Sequence, residues 1–420
     1  MSFTDHLGDY VEGVAAKYLS AVDANPGKSN QHEIGGLVKA GFSQYLGKPG
    51  RGEKTTFHSR LVYISDADEA PLSCEDTLTW YGATRRDPTR DLEYRLYYKS
   101  NAVTELINEG DFLLVAKLRD GTLLLVFTPA GGTVEAQLVS LFNLGSVGSA
   151  FRLGAPDGKA LLLPLRLLLE DIGLLRWSAG KDEPKWLDLL IDKFGEKEFP
   201  GTRDFSRFAR ESAAEADPVN DPDGALVTWM DHEEHLFRVF ERHLVATRLK
   251  DGFGPDGADV DEFIGYSLSV QNRRKSRVGH AFEGHLEAIF HANSLAFERG
   301  TRKAHFTENN NKPDFLFPDF ARYHDATFPD NKLFLLGAKT TCKDRWRQVI
   351  AEANRIKRKH LVTLEAAISE AQTDQMEASA VQLVVPAPIA TTYSLKQQRW
   401  LMNLEGFIEL IRGHGLVVTN

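Results

Sequence analysis

A lysine and three carboxylates form the candidate catalytic group of this chain. Asp314 precedes the apolar run 315–317, and Lys339 ends the apolar run 333–338. A charge at the end of a buried run usually has a partner or a metal, because burying an unpaired charge is costly. If the two runs are neighbouring strands, Asp314 and Lys339 converge on one site. Glu352 follows thirteen residues after Lys339, and Glu283 lies upstream in a helical stretch.

These residue types suit the hydrolysis of a phosphodiester. Asp314 and Glu352 offer the hard oxygen ligands that Mg²⁺ takes, and Glu283 would complete the acidic shell. A metal polarises the phosphate and helps to generate hydroxide, while Lys339 would orient water and offset developing charge. Each residue alone also has a purely structural interpretation. Asp314 would then be a turn or cap residue, Lys339 a strand end at the surface, and Glu352 an ion-pair partner in a helix.

The charge distribution favours a polyanionic partner. The chain of 420 residues has 50 Lys and Arg against 59 Asp and Glu, a net charge of -9. Residues 271–360 nevertheless contain 18 basic and 10 acidic residues, including Arg273, Arg274 and Arg277. Basic side chains gain free energy by displacing counterions from phosphates, so this stretch is a candidate nucleic-acid surface. A solvated helix face is the alternative.

The patterns of the chain predict three regions. Residues 1–145 contain strand-like runs at 60–64, 94–98, 112–116 and 122–127 between turn formers, which indicates a mostly β domain. Residues 146–196 are Leu-rich with Gly and Pro breaks, typical of a linker with short helices. Residues 197–420 combine helical periodicity at 233–245 and 282–290 with strands at 314–317, 332–339, 361–364 and 380–385. Helices at 344–360 and 404–411 complete a predicted α/β domain.

Composition and termini exclude several classes of protein. Cys74 and Cys342 are the two cysteines of the sequence, so neither a disulfide framework nor a Cys-rich zinc module can be built from one chain. The most apolar stretch, 160–175, is interrupted by a proline and charged residues, and the first residues do not resemble a signal peptide. We therefore expect no membrane span and a cytoplasmic protein.

Several motifs in the same order resemble the catalytic domain of the EcoRII-type restriction endonucleases. They are 272–277 (NRRKSR), 311–318 (NKPDFLFP), 323–325 (YHD) and 339–348 (KTTCKDRWRQ), and the similarity runs from about 252 to 386. The resemblance implies a PD-(D/E)XK nuclease fold, a central mixed sheet flanked by helices. Gly337 occupies the place of that motif's second carboxylate, two residues before the lysine, and a helix glutamate substitutes for it in this family.

The resemblance also implies roles for individual residues. Asp314 matches the metal-binding aspartate, Lys339 the catalytic lysine, Glu352 the substituting glutamate and Glu283 an additional acid, with Mg²⁺ as the cofactor. Tyr323 matches a tyrosine associated with autoinhibition, in which the N-terminal domain covers the catalytic cleft.

The charged triplet after the lysine is the candidate base-reading group. By the resemblance, Lys343, Asp344 and Arg345 enter the major groove. Arg and Lys can donate to guanine O6 and N7, and Asp can accept from cytosine N4, so the triplet can recognise a G·C pair. A helix N-terminus capped by Asp344 is the structural alternative, and it is compatible with DNA contact.

The N-terminal region resembles the effector-binding domain of the same family, a β-barrel related to plant B3 domains. The shared pieces are 31–35 (QHEIG) and 89–95 (TRDLEYR), with a one-residue insertion in the second. The candidate effector-DNA contacts are His32, Arg90, Glu93 and Arg95. Because a one-residue slip reverses the face of a strand, the register of these contacts stays open, and a solvated strand edge is the alternative.

Together these patterns and the resemblance predict a homodimeric, Mg²⁺-dependent type II restriction endonuclease. The resemblance implies that it cuts double-stranded DNA at CCWGG or a related CC/GG site. The N-terminal domain would bind a second copy of the site and inhibit the nuclease without it, and a cognate methyltransferase would protect the host. Two alternatives are a nuclease of the same fold acting in repair or on modified DNA, and a non-catalytic DNA-binding regulator.

Overall fold

The computed structural model of the chain describes residues 6–24, 32–68, 70–83, 92–155, 161–175, 182–301, 305–342 and 345–418. It divides into two compact units. The first comprises residues 1–177 together with 366–372, and the second comprises 178–365 with 373–420. The division near residue 177 falls inside the stretch 146–196 that the sequence predicts as a linker.

The first unit is built on one eight-stranded sheet. Its strands are β1 (Val11–Tyr18), β2 (Glu33–Gly35), β3 (Lys54–Tyr63), β4 (Leu72–Ala83), β5 (Glu93–Tyr97), β6 (Phe112–Leu118), β7 (Leu123–Thr128) and β8 (Arg152–Gly154). The strand order is β2-β5-β4-β3-β7-β6-β1-β8. The predicted mostly β region is confirmed. Its likeness to a B3 barrel stays a prediction.

Central strands of this sheet are apolar on both faces. Every residue of β7 is buried, and so are the first six of β6, because side chains pack on each side of the sheet. The helices of the unit are α1 (Ala21–Ala24), α2 (Ser43–Leu46), α3 (Thr133–Leu141) and α4 (Leu163–Asp171). Segment 366–372 bonds to α3, since Gln137 Nε2 donates to the Ala366 carbonyl at 2.9 Å.

The second unit contains two long helices. They are α7 (Pro222–Asp251) and α8 (Val260–Ala292), preceded by α5 (Glu183–Phe194) and α6 (Thr202–Ser212). Asp221 and Asp259 cap the two long helices through side-chain bonds to the amides of Gly224 and Glu262. The helical periodicity at 233–245 and 282–290 is confirmed, and both helices extend well beyond those windows.

A four-stranded mixed sheet forms the centre of the second unit. Its order is β12 (Val381–Val384), β11 (Lys359–Thr363), β10 (Phe334–Lys339) and β9 (Phe315–Phe317). β9 is antiparallel to β10, whereas β10, β11 and β12 are parallel to their neighbours. Helices α8 and α10 (Trp346–Ile350) pack against it. The predicted α/β domain with a central mixed sheet flanked by helices is confirmed.

Smaller helices complete the chain: α9 (Phe320–His324), α11 (Glu370–Ala378), α12 (Ala387–Ala390), α13 (Leu395–Gln398) and α14 (Leu404–Gly413). The buried Asp223 carboxylate, in the first turn of α7, accepts backbone amides from Ala387, Leu404 and Glu405 at 2.9–3.0 Å. These bonds fasten the start of α7 to the C-terminal segment. Within the described ranges, no helix is long and apolar enough to cross a membrane.

The predicted helix 344–360 is wrong. α10 ends at Ile350, and Ala353 adopts a left-handed φ of 51°. The amides of Asn354 and Arg355 turn to side chains of other elements, Glu308 and Tyr323, rather than to helix carbonyls. Tertiary acceptors have replaced the helical hydrogen bonds, which the local periodicity could not indicate.

Candidate active site

Asp314 and Lys339 meet where β9 begins and β10 ends. The antiparallel register pairs Phe315 with Leu336, which places the start of β9 beside the end of β10. Lys339 Nζ donates to Asp314 Oδ2 at 2.8 Å, and the Ala338 amide donates to the same oxygen at 2.7 Å. About a fifth of each side chain is exposed, so the pair is accessible from solvent. The convergence predicted from the two apolar runs is confirmed.

Glu352 lies in a turn just after α10 rather than in a helix. Burial raises its pKa to about 7, and the neighbouring Asp314 charge adds to the rise, while Lys339 and Lys359 oppose it. Lys359 is itself buried at the first position of β11. Glu352 therefore shares the electrostatic environment of Asp314 and Lys339, as the sequence suggested.

Glu283 approaches the same group from α8. Burial and the Asp314 charge raise its pKa, while Arg299 and Lys339 oppose the rise. Arg299 forms ion pairs with Glu283 and, at 2.8 Å, with Glu287, one turn further along the helix. Sequence reasoning missed Arg299, because a lone arginine sixteen residues after Glu283 gives no local signal of the contact.

Gly337 has a packing reason to be a glycine. A Cβ at this position would stand 2.8 Å from Val349 Cγ2 of α10 and 3.3 Å from Leu361 Cδ1 of β11. Both neighbours belong to the packed interior of the second unit. A carboxylate two residues before Lys339 is therefore excluded by α10. The substitution of Glu352 for that carboxylate stays a prediction.

The segment 307–311 holds the backbone on both sides of Glu352. Three of its side chains make the contacts: Asn311 Nδ2 to the Ala351 carbonyl at 3.0 Å, Thr307 Oγ1 to the Ala353 amide at 3.4 Å, and Glu308 Oε2 to the Asn354 amide at 3.1 Å. Because Glu352 stands outside regular structure, these bonds fix its position. Sequence analysis did not identify this clamp, whose partners are separated by at least 40 residues.

Tyr323 belongs to the support of the same turn. Its side chain is 2% exposed, and its hydroxyl donates to Glu308 at 2.6 Å. Burial and that bond raise the pKa of the phenol. The Tyr323 hydroxyl also accepts a bond from the backbone amide of Arg355, three residues after Glu352. The Arg355 guanidinium in turn donates to Asp330 Oδ1 at 2.6 Å and to the Phe328 carbonyl at 2.7 Å. Tyr323 thus contacts the loop of Glu352, whereas its predicted part in autoinhibition stays a prediction.

The candidate DNA contacts occupy different environments. Lys343 and Asp344 lie outside the described residues. Arg345 is exposed immediately before α10, and its amide donates to the Cys342 carbonyl at 2.7 Å. Arg273 lies 5.5 Å from the centroid of the Phe199 ring. Arg274 pairs with Glu241 at 2.6 Å while keeping 46% of its side chain exposed.

Arg277, a predicted DNA contact, does not lie on the surface. It is 4% exposed and forms ion pairs with Glu233, at 3.0 Å, and Glu234. A guanidinium held by two carboxylates inside the helical layer does not fit a phosphate contact. A run of basic residues shows where positive charge is concentrated in the sequence. It does not show which residue of the run is buried.

The same buried network fixes α8 against α6 and α7. Arg210 Nη1 lies 3.1 Å from His285 Nδ1, and His285 Nε2 lies 3.0 Å from Glu233. Arginine can only donate, so Nδ1 accepts from Arg210 and the proton of the neutral imidazole is on Nε2, facing Glu233. These contacts, two residues after Glu283, anchor α8 on the side away from the candidate catalytic group.

The N-terminal candidates that the structure describes lie in and beside the edge of the first sheet, which β2 and β5 form. They are His32, Glu93 and Arg95. Glu93 and Arg95 alternate along β5 and form an ion pair at 2.5 Å, so they share a face. The His32 ring lies 5.2 Å from that of Tyr98, edge to face. Arg90 lies outside the described residues. A role of this face in effector binding stays a prediction.

The acids do not form a dense cluster. Among the residues that the structure describes, no group of three or more His, Cys, Asp or Glu side chains is placed to hold a metal ion. The candidate ligand set consists of Asp314 and the neighbouring carboxyl groups of Glu352 and Glu283. Mg²⁺ commonly keeps several waters and takes one or two carboxylates, so Asp314 and Glu352 suffice in donor chemistry.

Replacing Gly337 by alanine should destabilise the second unit. The new Cβ would displace Val349, so we expect the free energy of unfolding to fall by about 1–3 kcal/mol. Chemical denaturation of the full chain measures this. Gly279→Ala, in α8 with no atom within 4 Å of its Cβ, is the matched control and should be neutral or stabilising by about 0.5–1 kcal/mol. Equal stability of Gly337→Ala and the wild type would contradict the packing argument.

Comparison with known proteins finds similarity over part of the chain. Residues 237–408 match the family model described as EcoRII C terminal. The type II restriction enzyme EcoRII of Escherichia coli is 43% identical over 198 residues, which are 46% of this chain and 46% of that enzyme. The match thus spans less than half of the relative's own length.

Two solved structures are similar at lower levels. Metal-depleted Ecl18kI in complex with uncleaved DNA has a TM-score of 0.43 and 20% identity, covering 57% of this chain and 88% of that one. A PspGI–substrate DNA complex has a TM-score of 0.41 and 15% identity, covering 51% and 93%. Over residues 237–408 this chain is therefore similar to the EcoRII C-terminal family of domains.

Proposed function

We propose that this chain is a type II site-specific endonuclease that hydrolyses double-stranded DNA. The observation that carries the proposal is the contact of Lys339 with Asp314 at adjoining strand ends, with Glu352 and Glu283 in the same electrostatic environment. The match of residues 237–408 to the EcoRII C-terminal family supports it. A regulator without catalysis would have no need of this arrangement.

The donor chemistry fits Mg²⁺ held by Asp314 and Glu352. Burial raises the pKa of Glu352, repulsion from Asp314 adds to the rise, and a divalent cation held by these residues would relieve that repulsion. When bound, Mg²⁺ would polarise the scissile phosphate and lower the pKa of a bound water. Glu283, paired with Arg299, would add negative charge at the rim and accept bonds from water.

Lys339 would act on the reacting phosphate. Its ammonium is held at 2.8 Å by Asp314 and is 23% exposed, so it can contact an incoming phosphate without losing its anchor. There it orients the attacking water and stabilises the charge that develops on the phosphate oxygens. Glu352, fixed by the clamp of residues 307–311, would accept a bond from the same water or hold the metal.

The proposed target is CCWGG or a related CC/GG site. Arg345 stands exposed six residues after Lys339, in the stretch that leads from β10 to α10. Residues 343–345 would therefore contact base edges close to the bond that is cut. The enzyme would act as a homodimer on a two-fold symmetric site, in the cytoplasm, paired with a methyltransferase of the same specificity.

The first unit would bind an effector copy of the site. The face that carries Glu93 and Arg95 and the nearby His32 is the candidate contact. Without effector DNA the first unit would restrain the nuclease, with Tyr323 as part of the restraint. Regulation of this kind would make cleavage depend on the number of sites available.

Cleavage of a plasmid with several CCWGG sites tests the catalytic assignment. The wild-type chain with Mg²⁺ should give discrete fragments, and EDTA should abolish them. Asp314→Ala and Lys339→Ala should each lower the rate by about 10²–10³-fold or more, because each removes a group that stabilises the transition state. Fragment sequencing reads the site, and prior methylation of the site should block cleavage.

Matched surface variants are the controls. Asp325→Ala and Lys332→Ala change exposed residues of the same types in the same unit and should retain the wild-type rate. Specific binding without cleavage of plasmid or genomic DNA would point to a regulator. Cleavage of methylated or damaged DNA alone would point to a repair or modification-dependent nuclease.

The Glu352 carboxyl predicts a pH-dependent stability. The folded chain keeps a proton on this group up to about pH 7, whereas its ordinary pKa is 4.5, so stability falls as the pH rises between these values. Glu352→Gln should thus raise the free energy of unfolding by about 1–3 kcal/mol at pH 8 and change little at pH 4.5. At pH 8, Mg²⁺ should stabilise the wild type and not Glu352→Gln. An equal response of both chains would remove Glu352 from the ligand set.

Effector dependence is tested with a plasmid that has one site. It should be cleaved slowly, and a short duplex containing the site should accelerate cleavage by about tenfold or more if binding shifts the enzyme from its restrained state. A duplex with the site scrambled is the control. Arg95→Ala should weaken the acceleration while leaving cleavage of a multi-site plasmid at saturating enzyme less affected. No acceleration by any duplex would refute the effector role.

A further inference from the structure

The first half of α8 carries an exposed apolar stripe. Val260, Ile264 and Leu268 follow one another at intervals of four residues and are 66%, 49% and 54% exposed. Phe263 stands beside them with 44% exposed, its inner edge against Phe253. Residues four apart lie on one side of a helix, so these side chains form a continuous stripe. Isolated exposed apolar residues are ordinary, but a stripe of them marks an interaction surface.

The charges around the stripe are divided between its two ends. The residues before and around the start of α8 are acidic: Asp256, Asp259, Asp261 and Glu262. Beyond the stripe the exposed residues include two basic ones, Lys275 and Arg274, of which Arg274 pairs with Glu241 of the same chain. Asp261 and Lys275 both lie along the stripe, one turn or two from its apolar residues. The helix surface is therefore acidic at one end, apolar in the middle and basic at the other.

This division makes the surface complementary to itself. When two identical helices pack antiparallel about a two-fold axis, the acidic end of each meets the basic end of the other. An axis passing close to Leu268 brings the two Leu268 side chains together and sets Ile264 of each copy against the helix around Asn272 of the second copy. Asp261 of each copy then reaches Lys275 of the second copy on both sides of the axis.

We propose that this stripe is the contact through which two copies of the chain associate. The inference rests on the homodimer of the proposed function and names its surface. A DNA backbone fits the face less well, because four acidic residues at its start would repel phosphates and the apolar stripe offers them no donor. A contact here would include the N-terminal half of the helix whose C-terminal half carries Glu283.

The oligomeric state of the full chain tests the proposal without reference to cleavage. In sedimentation velocity at micromolar concentration, the wild type should sediment as a dimer. Leu268→Glu should raise the dimer dissociation constant by about 100-fold or more, because symmetry places the residue in the contact twice. Leu395→Glu, an equivalent change at a 76% exposed leucine of α13, is the control and should remain dimeric. Circular dichroism confirms that each variant is folded.

A charge exchange separates this contact from a merely apolar effect. Asp261→Lys and Lys275→Asp should each weaken the dimer by about tenfold, and the double variant should regain most of the wild-type affinity, since the pair would then be reversed on both sides of the axis. A monomeric wild type, or an unchanged dimer in Leu268→Glu, would overturn the proposal. So would a Leu268→Glu dimer that has lost DNA binding, which would assign the face to DNA.

Discussion

The antiparallel pairing of β9 with β10 is the constraint on which the candidate site depends. It places Asp314, the residue before β9, opposite Gly337 near the end of β10, and from there its carboxylate meets the Lys339 ammonium, 25 residues further along the chain, at 2.8 Å. The same Asp314 oxygen also accepts the Ala338 amide, which ties the side chain to the backbone of its neighbour. A slip of one residue in this register would turn one of the two side chains into the packed interior. The apolar side chains of both strands therefore specify the geometry of the charged pair.

The remaining acids reach this pair by separate routes. Glu283 comes from α8, whose orientation is fixed by a buried network of Arg210, His285 and Glu233 on its other side. Glu352 comes from a turn and needs the side chains of residues 307–311 to hold it. The group is thus assembled from one strand pair, one helix and one fastened turn. Of the three, the turn lacks regular backbone hydrogen bonding and depends on bonds from side chains.

Those differences explain what could be predicted from the sequence. The meeting of Asp314 and Lys339 was predictable, because each ends a short apolar run and strand ends are local features. The helix expected over 344–360 was wrong because Glu308 and Tyr323 capture amides that a helix would have used. Arg299 and the clamp were missed because their contacts join distant segments. Arg277 was assigned to the surface because a run of basic residues in a sequence does not show which of them is buried. The motifs that resemble a known family supplied Glu352, for which spacing alone gave no reason.

The packing of Gly337 against Val349 has an evolutionary consequence. A chain in which helix α10 occupies the space beside this glycine cannot regain an acid there through one substitution. The new side chain would collide with Val349 before it could contribute to the site, and shortening Val349 first would open a cavity in a working enzyme. An acid at position 337 would therefore require a change at Val349 as well, so the strand position is closed to single substitutions while the turn around Glu352 is not.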